Sequence, residues 1–227
     1  MRSDWELLQD FVKTRSDAAF TELVKRHIDW VYSVALRRVG ESHLAEDVVQ
    51  SVFALLARKA GSLRRGTLLG GWLFRSTCLV AKCSLRANRR RKRREEQASA
   101  MMTTAQAHDD DPQWEQLAPH LDEAVASLSE TDRSAVVLRF YQKKSLSEVG
   151  LHLGISAEAA KKRVSRTVDK LKTFMARRGV GLGAVVLAGM LAEKTVQAAP
   201  AALAGSVAKT SAVALLISGE WACSSSR

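Results

Sequence analysis

Residues 146–172 read LSEVGLHLGISAEAAKKRVSRTVDKLK, and the organisation of the chain follows from how this stretch folds. Val149 and Leu153, four positions apart, give a short helix one buried edge. Gly154 supplies the left-handed residue that ends it, Ile155 fills the gap, and Ser156 caps a second helix. On that second helix Ala160, Val164, Thr167 and Leu171 recur every three or four residues and pack inward. Lys161, Lys162, Ser165 and Arg166 are left facing out. The predicted unit is a helix-turn-helix with a basic outer face. A plain helical hairpin with a solvated basic face has the same spacing, but the agreement of Gly154, two caps and the charge pattern favours DNA.

Upstream, Ser145 with Glu148 and Ser129 with Asp132 have the spacing of capping boxes, so a second helical block is expected from about Leu117. Before it, residues 95–115 hold six acidic residues and no basic one around a centre of Ala, Thr, Gln and Met. This composition predicts a flexible acidic linker over 95–116. The first block precedes it. Phe20, Leu23, Val24, Ile28, Val31, Ala35 and Val39 mark one helix face, Gly40 ends that helix, and Ser42 is the expected cap of the next. Val48, Val49, Val52, Phe53 and Leu56 continue the period to about Arg58. Gly61, Gly66, Gly70 and Gly71 then predict a loop. Trp72, Leu73, Ser76, Leu79, Val80 and Cys83 are expected to line the buried face of a third helix running to Arg94. No alternating strand pattern occurs in residues 1–178, so the fold class expected is all-α, two small helical domains.

Charge is distributed unevenly. Lys and Arg total 35 against 24 Asp and Glu, a net +11, and residues 61–94 alone contain eleven basic residues and no acidic one. Such a block suits a polyanion, each phosphate contact releasing a counterion. A run of six basic residues at 89–94 exceeds what a helix dipole calls for. Trp72 and Phe74 either stack on unpaired bases or belong to the core. Cys78, Cys83 and Cys223 form no CxxC pair and no metal-ligand spacing with the histidines, so no metal and no cofactor is expected. No Gly-rich phosphate loop or nucleophile elbow is present, and no catalytic residue is assigned. The first residues lack the apolar core of a secretory signal, which predicts a cytoplasmic protein.

In order along the chain these features resemble the extracytoplasmic-function class of sigma-70-type factors, over roughly residues 15–175. AEDVVQSVF at 45–53 resembles the family segment that docks on the polymerase clamp helices, implying Asp47, Gln50 and Phe53 as polymerase-binding residues. GWLFR at 71–75 with the arginine-rich tail resembles the segment that melts and holds the promoter minus-ten element, implying Trp72, Arg75, Arg86, Arg89, Arg90, Arg91, Arg93 and Arg94. LSE at 128–130, RFY at 139–141 and the helix-turn-helix resemble the region that reads the minus-thirty-five element, implying Lys161, Lys162, Arg163, Ser165 and Arg166. Leu79 stands where the family usually has Asn or His, and Ser51 where Glu is common. Gly150 stands in place of Ala, which predicts a first reading helix weaker by up to ~1 kcal/mol. The resemblance implies a sigma region 2-like domain at 1–94, a linker at 95–116, a region 4-like domain at 117–178, and an apolar extension at 179–227. It implies core RNA polymerase and promoter DNA as partners, with an anti-sigma factor as a further one.

Residues 179–227 are not needed by such a core. Uncharged runs of fourteen, fourteen and ten residues are separated by Glu193-Lys194 and Lys209, each too short to span a bilayer comfortably. A packed helical appendage, a regulatory latch and a segment in membrane contact all fit this composition. Two other functions compete with transcription initiation: a polymerase-independent helix-turn-helix regulator, and a membrane-associated signalling adaptor.

Overall fold

Ser3 opens the first helix with a capping box, its Oγ accepting from Glu6 N while the Glu6 carboxylate accepts from Ser3 N. The computed structural model describes residues 2–96, 112–181 and 183–214. The first block contains α1 (Asp4–Thr14), α2 (Asp17–Val39), α3 (Ser42–Lys59) and α4 (Leu69–Glu96). The second contains α5 (Pro112–Ser127), α6 (Glu130–Val136) running into a π-helical turn (Val137–Tyr141), α7 (Leu146–Leu153) and α8 (Ala157–Ala176). Two further helices, α9 (Ala184–Lys194) and α10 (Leu203–Ala214), follow. The described residues contain no strand. The acidic linker falls mostly on residues 97–111, outside the described residues, and its two ends are helical: α4 continues to Glu96 and α5 starts at Pro112.

In the first block α2, α3 and α4 pack mutually and α1 lies on α2. The fully buried Leu23, Phe53, Leu56, Leu73 and Phe74 form their common core, each contributing roughly 1.5–3 kcal/mol by leaving water. α1 is held by polar contacts too. Trp30 Nε1 donates to His27 Nδ1 at 3.2 Å, so the His27 Nε2 proton is the one given to Asp4 at 2.8 Å. Burial pushes the Asp4 carboxyl up, but His27 and Arg26 outweigh it and hold it at about 2.

Three expectations are corrected here. Ser42 is the first helical residue of α3, not its cap; Glu41 occupies the cap position without a side-chain hydrogen bond. Gly70 and Gly71 belong to the first turn of α4 rather than to a loop. They are glycines because the second block passes close by: a Cβ on Gly71 would collide with Ser134 Oγ of α6, and one on Gly70 with the Gln142 side chain after the π-helical turn. The buried face of α4 is rotated from the expected one, carrying Leu73, Phe74, Thr77, Cys78 and Ala81, while Leu79 is 55% exposed and Cys83 is exposed. Burial pushes the Cys78 thiol up to about 12.

The second block meets the first through a buried joint. Arg37 on α2 grips Asp122 on α5 with two hydrogen bonds, both 3.1 Å. Tyr141 Oη donates to the same carboxylate at 3.3 Å, and its ring sits edge-on to Trp30 and Phe74. Burial works against the Arg37 charge, but the Asp122 carboxylate overrides it and raises the guanidinium above its ordinary value. Arg133 on α6 donates to Gly71 O at 3.2 Å, and to Ala126 O and Leu128 O. The apolar residues of both blocks accordingly join in one core, with a small separate cluster of Leu138, Val149 and Ala160 inside the helix-turn-helix.

Removing one member of this buried pair strands the other charge. Asp122→Ala is expected to destabilise the chain by ~3–5 kcal/mol, whereas Asp122→Leu combined with Arg37→Met should cost far less. Urea unfolding of the three proteins decides the matter, and a neutral Asp122→Ala would remove the pair from its role as the joint.

Candidate nucleic-acid and polymerase interface

The helix-turn-helix is assembled by local signals. Ser145 and Glu148 form a complete capping box at the start of α7, and Glu148, hydrogen-bonded by the Ser145 backbone and side chain, is held at about 2. Gly154 ends α7 at φ 66° in the left-handed region, and Ser156 Oγ accepts from Ala159 N to start α8. Gly150 has a reason that propensity does not supply. A Cβ there would lie 2.7 Å from Ile155 O, so the tight turn, not a weaker helix, explains the residue.

Along α8, Ala160, Val164, Thr167 and Leu171 are buried, and Lys161, Lys162, Ser165 and Arg166 are exposed. Arg163 differs from these four. It lies on the flank of the buried face, two turns before Lys170, and the two cations clamp Asp132 of α6 at 3.0 and 2.7 Å. Its side chain is 39% exposed. Burial raises the Asp132 carboxyl, but hydrogen bonding to Lys170 and Arg163 brings it below its ordinary value. Ser129 caps α6 by accepting from Asp132 N, while the Asp132 carboxylate serves this clamp.

On α4 the outward face reads Arg75, Leu79, Lys82, Arg86 and Arg89 at three- and four-residue steps, all exposed. Arg90 and Arg91 are exposed beside it, and Arg91 Nη2 donates to Asn88 Oδ1 at 3.3 Å. The side chains of Arg93 and Arg94 lie outside the described residues. Trp72 is half-buried and Phe74 fully buried. Leu79 is the residue that periodicity misplaced: an exposed leucine inside a basic stripe, one turn from Arg75. Its spacing from Arg75, Lys82 and Arg86 was the available signal.

Of the three expected polymerase contacts on α3, Asp47 is exposed and Gln50 half-buried, one turn apart. Phe53 is fully buried and belongs to the core, so it presents no ring at the surface. Asp47 shares an open cleft with Asn88 and Arg91 of α4, which brings the acidic docking position next to the basic helix. Among the described residues no group of three or more His, Cys, Asp and Glu side chains can hold a metal ion. No described helix is long and apolar enough to cross a membrane.

A helix-turn-helix with an exposed basic reading helix, preceded by a second helical block with its own basic face, defines a DNA-binding transcription protein. The sequence narrows this further. The family description "Sigma-70 region 2" matches residues 23–91 and "Sigma-70, region 4" matches residues 124–173. RNA polymerase sigma factor CarQ of Myxococcus xanthus is 33% identical over 69% of this chain and 89% of its own length. ECF RNA polymerase sigma factor SigE of Mycolicibacterium smegmatis is 31% identical over 70% of this chain, which spans only 62% of it. A solved complex of the sigma factor RpoE with the anti-sigma factor NepR from Bartonella quintana is 23% identical over 64% of this chain and 89% of that one, with a TM-score of 0.28. The chain belongs to the sigma-70 family, in its extracytoplasmic-function class. It is a sigma factor that directs transcription initiation, and sigma factors bind core RNA polymerase and promoter DNA. These relatives do not favour a polymerase-independent regulator or a membrane-associated adaptor.

The two fates of basic residues on α8 give different salt responses. Arg166→Ala is expected to lower the slope of log binding constant against log salt by about 1, the loss of one phosphate contact. Arg163→Ala should leave the slope unchanged and instead destabilise the second block by ~1 kcal/mol, because it releases Asp132. Filter binding over a salt series, with thermal melts, separates them; equal loss of slope in both variants would place Arg163 on DNA.

Proposed function

We infer that α3 docks core polymerase through Asp47 and Gln50, that the outer face of α4 holds the minus-ten element, and that the outer face of α8 reads the minus-thirty-five element. The observation that carries this reading is the pair of exposed basic helix faces, one in each block. Arg75, Arg86 and Arg89 to Arg91 supply a phosphate-binding track in the first block, with Arg93 and Arg94 extending it in sequence, and Trp72 beside it stacks on an unpaired base. Leu79 offers an apolar contact in the middle of that track, suited to the face or methyl of an unstacked base. Lys161, Lys162, Ser165 and Arg166 enter the major groove or grip its edges, and Arg163 positions α8 against α6 rather than touching DNA. Domain boundaries at 1–94, 95–116 and 117–178 follow this division of labour, with 179–227 as an appended segment. The chain acts in the cytoplasm with the polymerase, needs no cofactor and carries no chemistry of its own. A trans-acting anti-sigma factor is a fitting further partner, whereas nothing supports contact with a membrane.

Run-off transcription with purified core polymerase on a promoter library tests this reading. Promoter-specific transcripts that depend on the added chain are expected. Asp47→Ala with Gln50→Ala should weaken binding to immobilised core polymerase while circular dichroism stays unchanged, since neither the exposed Asp47 nor the half-buried Gln50 belongs to the buried core. Unaltered binding by that double variant would remove α3 as the docking helix.

A further inference from the structure

Residues 184–214 touch both blocks. α9 lies on α8 and the π-helical turn and buries Leu187 and Leu191 completely, and Lys143 Nζ donates to the Ala192 carbonyl. Thr195 then reaches the joint itself. Its Oγ1 donates to Leu191 O at 2.7 Å and lies 3.3 Å from Phe140 O, and its carbonyl accepts from Arg37 Nη1 at 2.8 Å. From there the chain descends α2 on side chains one turn apart. Ser33 Oγ accepts from Gln197 N at 2.6 Å and the Asp29 carboxylate accepts from Ala199 N at 3.0 Å. α10 finally packs on α2 and α3 and buries Leu203 and Val207. Backbone amides of an extended segment met by a file of polar side chains at 29, 33 and 37 make a built seat, where a tail collapsed on apolar surface would leave those amides to water.

We propose that residues 184–214 are a strap that holds the two blocks closed, so that a holoenzyme engaging both promoter elements must displace it. This rests on the assignment of α3, α4 and α8 given above. The minus-ten and minus-thirty-five elements lie about 25 base pairs apart, roughly 85 Å at ~3.4 Å per base pair. Blocks joined through Arg37 and Asp122 at 3.1 Å cannot occupy both. The strap cannot follow them apart. Between the end of α9 at Lys194 and the start of α10 at Leu203 lie eight residues, which span at most ~28 Å fully extended. Promoter engagement therefore unseats α9 or α10. The closed form lowers the apparent affinity of the holoenzyme for promoter DNA by the fraction of open molecules.

Two full-chain variants release the strap at different places. Leu203→Asp with Val207→Asp unseats α10, and Ser33→Ala with Ala199→Pro removes the hydrogen bonds of the extended segment while leaving the apolar core alone. The dissociation constant for promoter DNA is measured for the complex of each with core polymerase, beside that of the unaltered chain, with binding to core polymerase and circular dichroism in parallel. Either variant is expected to bind promoter DNA roughly 10-fold or more tightly, as the open fraction rises, and to form open complexes at correspondingly lower concentration. If the first variant loses helix, the second decides. Equal affinity of the second variant and the unaltered chain overturns the strap while leaving the docking assignment standing. Failure of every chain to bind polymerase overturns the docking assignment and the strap together.

Discussion

The structure turns on one buried ion pair. Arg37 and Asp122 come from helices in different blocks, and taking both charges out of water is worthwhile only if every remaining donor and acceptor finds a partner. Here they do: Tyr141 adds a hydrogen bond to the carboxylate and the Thr195 carbonyl takes an Arg37 donor. Such a pair contributes little net stability compared with apolar residues of the same volume. Its effect is on geometry, because a bidentate guanidinium-carboxylate contact fixes the angle at which α5 meets α2. That angle sets Tyr141 between Trp30 and Phe74, and through Arg133 it brings α6 against Gly71 at the start of α4.

The net charge conceals two uses of basic side chains. Arg37, Arg133 and Arg163 are turned inward, where they satisfy carbonyls and carboxylates and hold helices in register. Arg75, Arg86, Arg89, Lys162 and Arg166 remain outside, on helices whose other faces are apolar and buried. Both α4 and α8 thus carry the same division, an inner face that anchors the helix and an outer face free to meet phosphate. The rigid anchoring holds the outward cations at helical spacing on a stiff rod, which lowers the ordering cost of binding.

Much of this was legible in the sequence because it is local. The helix-turn-helix, the caps at Ser145 and Ser156, the left-handed Gly154 and the buried face of α8 depend on neighbours within one or two turns, and the structure has them as expected. What local periodicity could not supply was the partner on the other side. Leu79 and Cys83 fit an apolar stripe by spacing, yet α4 turns a face through Phe74 and Cys78 toward α2 and leaves Leu79 to solvent. Phe53 has the residue type of a docking anchor and lies in the core. Arg163 sits in a basic run, and only the approach of Asp132, thirty-one residues earlier, draws it inward. The helix α1 went unread although Ser3 and Glu6 have capping-box spacing. The path of residues 195–199 along α2 joins positions more than 150 apart, which no local pattern encodes.

The central claim is that the free chain is a closed body that must open to initiate transcription. Energy transfer between fluorophores placed at Ser51→Cys on α3 and Lys172→Cys on α8, both exposed positions, with Cys83→Ser and Cys223→Ser leaving the buried Cys78 as the remaining native thiol, measures it most directly. The account predicts one short distance in the free protein and a lengthening by several nanometres, on the order of the roughly 85 Å between promoter elements, once core polymerase and promoter DNA are added. An unchanged distance in an actively transcribing complex, or a long distance in the free chain, would contradict it.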